Sequence, residues 1–173
     1  MLPYVLLVAA VALERVAELA VSKRNIAWAL AQGGVERGFG HYPFMVVLHS
    51  ALLIACVVEA AHREFVPALG WPMLGLVVLA QALRWWCIAS LGPRWNTRVV
   101  VVPGRPLVRR GPYRWLRHPN YLAVVVEGAA LPLVHSAWIT AVAFTVLNAA
   151  LLAVRIRCEN DALGLVAPAG AAR

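Results

Sequence analysis

Five long apolar segments constrain the fold of this chain more than any other feature of its sequence. Each is long enough, or nearly so, to cross the roughly 30 Å hydrocarbon core of a bilayer as a helix. They are Leu2–Ala20, Phe44–Ala61, Trp71–Leu91, Tyr121–Val134 and Ala137–Val154. Only 14% of the 173 residues are charged, whereas soluble domains carry about 25%. The sequence therefore predicts an all-α integral membrane protein, a single domain over residues 1–173 with about five transmembrane helices.

The basic residues are distributed unequally between the two ends of these segments. Thirteen of the 16 Lys and Arg residues fall in the loop 21–43, the loop 92–120 and the C-terminal tail. Lys and Arg are enriched on the cytoplasmic side of membrane proteins, so we expect the N-terminus outside and the C-terminus in the cytoplasm. The net charge of +8 would also suit a nucleic acid, but the arginines flank apolar segments and form no separate basic domain. We therefore expect a membrane surface and no nucleic-acid partner.

One polar or ionisable side chain recurs at a similar depth in each segment. Counted from the cytoplasmic end at about 1.5 Å per residue, these side chains lie roughly 8–10 Å deep. They are Glu14, His49, Arg84, Glu127 and Asn148. Because unpaired charges are costly in hydrocarbon, we expect a polar layer with Arg84 paired to Glu127, serving either as a structural network or in substrate contact. The nearby Arg15 and Glu18 are interpreted either as side chains that reach toward the interface or as partners in isolated structural hydrogen bonds.

The loop before the fourth segment combines extended and turn-forming sequences. A β-branched run, Arg98–Val102, is followed by a Pro-Gly turn and by Pro106–Val108, which predicts a short cytoplasmic ribbon between these two pieces. Pro119 suits the first turn of the following helix, where its missing N–H does no harm. The sequence therefore places His118 and Tyr121 at the cytoplasmic mouth of the fourth segment.

Two motifs in this region resemble those of a known family. A Leu-Val pair, a Gly-Pro-Tyr turn and Arg-His-Pro-Asn-Tyr occur in residues 107–121, and Arg155 and Glu159 follow on the last segment. In this order the motifs resemble the isoprenylcysteine carboxyl methyltransferase family of membrane methyltransferases, which use S-adenosylmethionine. The resemblance covers residues 84–163 and implies that Arg155 faces the anionic oxygen of the substrate. It implies a cofactor site formed by Leu107, Val108, Tyr113, His118, Pro119, Asn120, Tyr121 and Glu159.

The chemistry of these residue types fits such a reaction. Arg155 and Glu159 are four residues apart, on one helical face, where they could also be a mere surface ion pair. A carboxylate attracts the sulfonium and ammonium groups of S-adenosylmethionine, and a guanidinium orients a carboxylate or enolate. Methyl transfer then depends on positioning and on exclusion of water, without a metal. An anionic acceptor needs no base, whereas a neutral phenol or enol needs one, and Glu159 and His118 are the candidates. Family members often carry a second glutamate where this chain has Asn160.

We therefore expect an S-adenosylmethionine-dependent O-methyltransferase that acts on a lipophilic small molecule. The chain lacks the additional N-terminal spans of the eukaryotic prenylcysteine enzymes, so a bacterial inner (plasma) membrane protein with a cytoplasmic active site is expected. Residues 14–18, 22–25 and 38–43 are similar to members encoded beside type III polyketide synthases, which methylate alkylpyrones and alkylresorcinols.

Three alternative functions remain open. A phospholipid N-methyltransferase would act on an amine, for which Arg155 is the wrong neighbour. An NADPH-dependent reductase related to the sterol reductases could bind its cofactor phosphate through Arg105, Arg109 and Arg110, but those enzymes have many more spans. A non-enzymatic membrane subunit is the third alternative.

Overall fold

Helices make up most of the computed structural model, which describes residues 1–38 and 40–164. The five helices in this part of the chain are α1 (Leu2–Ala31), α2 (Tyr42–Ala60), α3 (Pro67–Leu91), α4 (Pro119–Leu133) and α5 (Trp138–Gly164). Two 3₁₀ turns, Gly92–Arg94 and Gly111–Arg114, and two short strands lie between the helices. The protein is therefore mostly helical, but the two strands correct the expectation of an all-α fold. Phe39, in the segment 38–43, and Arg173, a basic residue of the C-terminal tail, lie outside the described residues.

Three of the described helices are long and apolar enough to cross a membrane. They are α2, α3 with its extension to Arg94, and α5. The 15 residues of α4 span about 22 Å, which is less than the apolar core of a bilayer. The 30 residues of α1 are long enough, but they include Glu14, Arg15 and Glu18 within two turns. That α1 and α4 also cross, giving five spans, stays a prediction, as does the orientation.

Consecutive helices run in opposite directions, so the ends of α1, α3 and α5 meet the starts of α2 and α4. We call this side of the bundle the loop end. Here Asn25 of α1 donates hydrogen bonds to the carbonyl oxygens of Gly92 and Trp95, at 3.2 and 2.8 Å. Arg155 of α5 donates to the hydroxyl of Tyr121 in the first turn of α4. The two basic loops predicted to share one side of the membrane therefore lie together.

Polar contacts also tie the helices together at the opposite end. The hydroxyl of Tyr4 in α1 donates to the carbonyl oxygen of Leu131 in α4, at 3.1 Å. Glu59 at the end of α2 accepts a 2.7 Å bond from the backbone N–H of Thr140 in α5. Between the two ends, an apolar core includes Val77, and the fully buried side chains Leu131 and Cys56 belong to it. The helices are thus fixed at both ends of a common core.

The two strands connect the α1–α2 loop to the loop that precedes α4. Strand β1 (Val35–Arg37) pairs antiparallel with strand β2 (Val99–Val101), with Val35 opposite Val101. The expected ribbon between Arg98–Val102 and Pro106–Val108 is therefore wrong, although its first half is extended. Pro106 has no N–H to donate to a ladder, whereas β1 offers its backbone groups close by.

Helices α1 and α5 continue well past the predicted ends of their apolar segments. Backbone hydrogen bonding does not stop at the membrane surface, so polar residues prolong α1 from Ala20 to Ala31 and α5 from Val154 to Gly164. Gly33, with a positive φ of 77°, turns the chain after α1. The polar extension of α5 keeps Arg155 and Glu159 helical, as their spacing predicted.

We expect cysteines placed at Val108 and His62 to be labelled from opposite sides of the membrane. His62 is exposed in the connection after α2, and Val108 lies in the loop at the loop end. Native Cys56 and Cys87 are fully buried, so Cys158→Ser gives a background of low reactivity. A membrane-impermeant maleimide should label His62→Cys in intact cells and Val108→Cys only after permeabilisation. Labelling of both from the same side would contradict the predicted topology.

Candidate functional site

A short chain of hydrogen bonds links Arg155 to Glu159 through the hydroxyl of Tyr121. Arg155 Nε donates to this hydroxyl at 2.9 Å, and the hydroxyl donates to the Glu159 carboxylate. The Arg155 side chain is only 6% exposed, and its guanidinium lies 5.6 Å from the centre of the Tyr121 ring. In the part of the chain that the structure describes, Arg155 and Glu159 make no direct salt bridge. The site therefore keeps a buried cation and a partly exposed carboxylate apart by one hydroxyl group, which is not the arrangement of a surface ion pair.

His118 extends this cluster toward the end of α5. Its ring stacks on Tyr121, with centroids 5.3 Å apart and planes 21° apart. Its Nε2 lies 3.0 Å from Oδ1 of Asn160, and its Nδ1 lies 3.9 Å from the Glu159 carboxylate. Since an amide oxygen accepts, this geometry places a proton on Nε2. Asn160, where family members often have glutamate, therefore helps to fix the orientation of His118.

Three further predicted residues surround the same cluster. Pro119 is buried at the first position of α4, as its missing N–H predicted. The carbonyl oxygen of the Asn120 side chain is buried and has no hydrogen-bond partner among the described residues. The hydroxyl of Tyr113 lies beside the Cys87 thiol, and burial, followed by this thiol, raises the pKa of Tyr113 above its usual range. Tyr113 therefore keeps its proton at physiological pH and remains a hydrogen-bond donor.

Leu107 and Val108 line a cavity of about 560 Å³ at the loop end. The wall of the cavity contains Trp28 of α1, Leu91 of α3 and the segment 105–110. The arginines in this wall are Arg94, Arg105, Arg109 and Arg110. Leu91, in the wall of the cavity, lies one turn of α3 after Cys87, and Cys87 in turn lies beside Tyr113 of the Arg155 cluster. The structure therefore divides the predicted cofactor residues between the cavity and the Arg155 cluster, on adjacent turns of α3.

The predicted polar layer exists in part, but its charges pair differently. Glu18 accepts two bonds from Arg84, one of them 2.6 Å long, and a third from Arg15 at 3.0 Å. Arg15 also donates to Glu127 at 3.3 Å, and Gln81 donates to Glu14. The predicted pair of Arg84 with Glu127 is therefore wrong. Glu18 is 2% exposed and bonded to both arginines, so of the two interpretations of Glu18 structural hydrogen bonding fits and reaching toward the interface does not.

His49 and Asn148 do not join this network of charges. The Nδ1 of His49 lies 2.8 Å from the carbonyl oxygen of Met45, and the ring packs edge-on against Phe144 at 5.2 Å. Asn148 is buried, and its side-chain oxygen has no partner among the described residues. The common depth of the five predicted residues thus does not bring them into one cluster.

Sequence reasoning missed the side of the site that α2 contributes. Met45, one turn into α2, accepts a hydrogen bond at its Sδ from Nη1 of Arg155, at 3.3 Å. His41, four residues earlier, is the N-cap of α2 and lies beside Cys158 of α5. The segment 38–43 stood out in the sequence only through its similarity to a subgroup of the family, which gave no role to its residues.

Comparison with known proteins identifies the family. Residues 73–164 match the model of the isoprenylcysteine carboxyl methyltransferase (ICMT) family. The chain belongs to this family. The match includes every predicted site residue from Leu107 to Glu159, and it confirms the resemblance drawn from the two motifs. Together with the apolar helices, the match indicates that the chain is an integral membrane protein of a methyltransferase family.

Two relatives match along most of the chain. The uncharacterized protein YpbQ of Bacillus subtilis is 40% identical over 159 residues, which are 91% of this chain and 95% of YpbQ. An uncharacterized protein of Haemophilus influenzae is 27% identical over 153 residues, or 87% of this chain and 88% of that protein. No solved structure matches. The single domain over residues 1–173 and the resemblance to the polyketide-associated subgroup stay predictions.

Proposed function

We propose that this ICMT-family protein transfers a methyl group from S-adenosylmethionine to an oxygen of a lipophilic substrate. The acceptor oxygen, of a carboxylate or an enol, reacts as an anion at the cytoplasmic face of the bacterial inner membrane. The observation that carries this proposal is the separation of Arg155 from Glu159 by Tyr121. One cation and one carboxylate are held close together without neutralising each other directly, so each remains able to bind an opposite charge.

The residues around Glu159 fit S-adenosylmethionine. Glu159 offers a carboxylate to positive groups, Asn120 offers a buried acceptor without a partner, and Tyr113 offers a donor. The neighbouring cavity of about 560 Å³ is of the size of small-molecule sites, and its arginines suit the carboxylate of the cofactor. Leu107 and Val108 would form its apolar wall. When bound, the cofactor supplies an electrophilic methyl group.

Arg155 is placed to hold the acceptor oxygen. Its Nε is used by Tyr121, and its Nη1 contacts only the weak acceptor Sδ of Met45. Because the guanidinium is buried and not in contact with a carboxylate, its attraction for an anionic oxygen is little screened by water. Because Arg155 is buried, an acceptor oxygen bound to it would also be partly shielded from water, which limits solvation of the nucleophile.

Calorimetric titration of the detergent-solubilised protein tests the cofactor. S-adenosylhomocysteine should bind and NADPH should not, since the rival reductases use the nicotinamide cofactor. Preferential binding of NADPH would contradict the proposal, and binding of neither would favour a non-enzymatic subunit.

Mass spectrometry of lipids from cells with and without the protein then identifies the acceptor by the added mass of one methylene. A methylated amine would support a phospholipid N-methyltransferase instead.

Glu159→Gln is expected to weaken binding of S-adenosylhomocysteine about tenfold or more, since one charge-assisted contact contributes about 1.5–3 kcal/mol. The substitution removes a charge and leaves the volume of the side chain nearly unchanged. Titration calorimetry measures the affinity. The control is Asp161→Asn, because Asp161 is exposed on the same turn of α5 and should bind the cofactor like the wild type. Equal affinity of Glu159→Gln and the control would remove Glu159 from the cofactor site.

A further inference from the structure

His41 lies on the α2 side of Arg155, outside the residues that the family motifs assign. Its imidazole packs over Gly38, where an added Cβ would overlap both this ring and Sγ of Cys158. Cys158 is three residues after Arg155 on α5, and Met45, one turn after His41, contacts the Arg155 guanidinium. His41 is therefore one turn of α2 from Met45, which contacts the Arg155 guanidinium, and its ring lies near Cys158, less than one turn of α5 beyond Arg155.

The surroundings of His41 keep its imidazole neutral. Partial loss of solvation, followed by the positive charge of Arg155, lowers the pKa of His41 below its usual value. The charged group that acts on it from α5 is Arg155, which disfavours an imidazolium. No residue that the structure describes hydrogen-bonds the His41 ring. A free nitrogen lone pair is therefore available next to the proposed acceptor site.

The two bases named from the sequence are already engaged elsewhere. His118 stacks on Tyr121 and is held by Asn160, and Glu159 accepts the Tyr121 hydroxyl bond. Both belong to the part of the cluster that we assign to the cofactor.

We propose that His41 is the proton acceptor for a neutral hydroxyl substrate, a phenol or an enol. The O–H bond of the acceptor breaks and its proton goes to a ring nitrogen of His41. The oxygen forms a bond to the methyl carbon with the freed electron pair, while the carbon–sulfur bond breaks and its pair stays on sulfur. Arg155 stabilises the negative oxygen, and the half-buried His41 passes the proton to water. This inference rests on the proposed methyl transfer and adds the residue that deprotonates a hydroxyl substrate.

The test compares His41→Gln with the wild type on long-chain phenols of graded acidity and on a matched long-chain carboxylic acid. General bases contribute about 10²-fold or more, so kcat/KM for the least acidic phenol should fall by about 10²-fold at neutral pH. The loss should shrink as the phenols become more acidic and should vanish for the acid, which is already ionised. As the pH is raised, kcat/KM of the wild type should increase around the lowered pKa of His41. That of His41→Gln should increase only at the higher pH at which the phenol itself ionises.

Two measurements that do not depend on turnover accompany this series. S-adenosylhomocysteine should bind His41→Gln and the wild type equally, whereas His118→Gln should bind it more weakly. Ultraviolet titration of a phenol bound with S-adenosylhomocysteine should show its ionisation at higher pH in His41→Gln.

The outcomes separate this inference from the proposed function. An equal loss on all acceptors, or no loss on any, would overturn the role of His41. If the wild type binds the cofactor product but methylates only the carboxylic acid, the hydroxyl substrate is wrong and the methyltransferase stands. If the wild type does not bind S-adenosylhomocysteine at all, the proposed function itself fails.

Discussion

Replacing Arg155 with alanine is expected to lower kcat/KM by about ten- to a hundredfold. The substitution removes a charge-assisted contact to an anionic oxygen in a site that is largely closed to water, which corresponds to about 1.5–3 kcal/mol. Arg155→Lys should also be impaired, because lysine keeps the charge but lacks the planar guanidinium, which can donate to Tyr121 and to the acceptor oxygen at the same time. Steady-state kinetics with the identified acceptor measures the effect, and calorimetry should show a much smaller change in S-adenosylhomocysteine affinity.

Arg157→Ala is the matched control for this prediction, since Arg157 is exposed two residues further along α5. It should leave turnover and cofactor affinity unchanged. Thermal unfolding of each variant separates loss of catalysis from loss of folded protein. Equal losses of turnover and of cofactor affinity in Arg155→Ala would place Arg155 at the cofactor. Full activity would reduce it to a structural partner of Tyr121.

The sequence could predict the local arrangement within each motif, because residues 107–121 and residues 155–159 are each close together along the chain. The four-residue spacing of Arg155 and Glu159 places them on one face of a helix, and Pro119 marks the start of the next. The role of Tyr121 as the bridge between them depends on how α4 is rotated against α5. That rotation is set by packing along both helices, and no local pattern of residues encodes it.

Counting depth along the helices predicted that Arg84 and Glu127 are buried, but it left out Glu18 and did not show how the charges pair. Depth fixes one coordinate, whereas an ion pair also requires the right rotation of each helix about its axis. Glu18 lies one turn closer to the loop end than Glu14, and this offset lets it meet Arg84 while Arg15 meets Glu127. Because Arg84 and Glu127 lie at nearly the same depth, the sequence predicted that they pair, whereas Arg84 bonds Glu18 instead.

The small sheet shows a similar limit. The β-branched residues of Val99–Val101 identified an extended segment correctly, since β-branched side chains favour strands. Its partner Val35–Arg37 is only three residues long and more than sixty residues earlier. Such a short strand carries no alternating pattern of its own, so the local Pro106–Val108 was favoured instead. The actual pairing ties the α1–α2 connection, and with it His41, to the loop of the site.

Glu18→Gln is expected to lower the free energy of unfolding by about 3–5 kcal/mol, the range seen when one partner of a buried ion pair is removed. Glu18 is 2% exposed and accepts hydrogen bonds from both Arg84 and Arg15. Glutamine keeps the volume of the side chain but leaves two guanidiniums with less negative charge at a depth where water is scarce. Unfolding in mixed micelles of increasing denaturing detergent measures the change.

Two further variants show whether the buried charges cause this loss. Glu36→Gln is the control, because the pair of Glu36 with Arg98 is partly exposed and such pairs contribute at most about 1 kcal/mol. In Glu18→Gln combined with Arg84→Met, the unpaired guanidinium is gone, so the double variant should be more stable than the sum of the single losses predicts. Additive losses would mean that Glu18 and Arg84 act independently. A loss no larger than that of Glu36→Gln would mean that apolar packing, and not this network, holds α1 against α3 and α4.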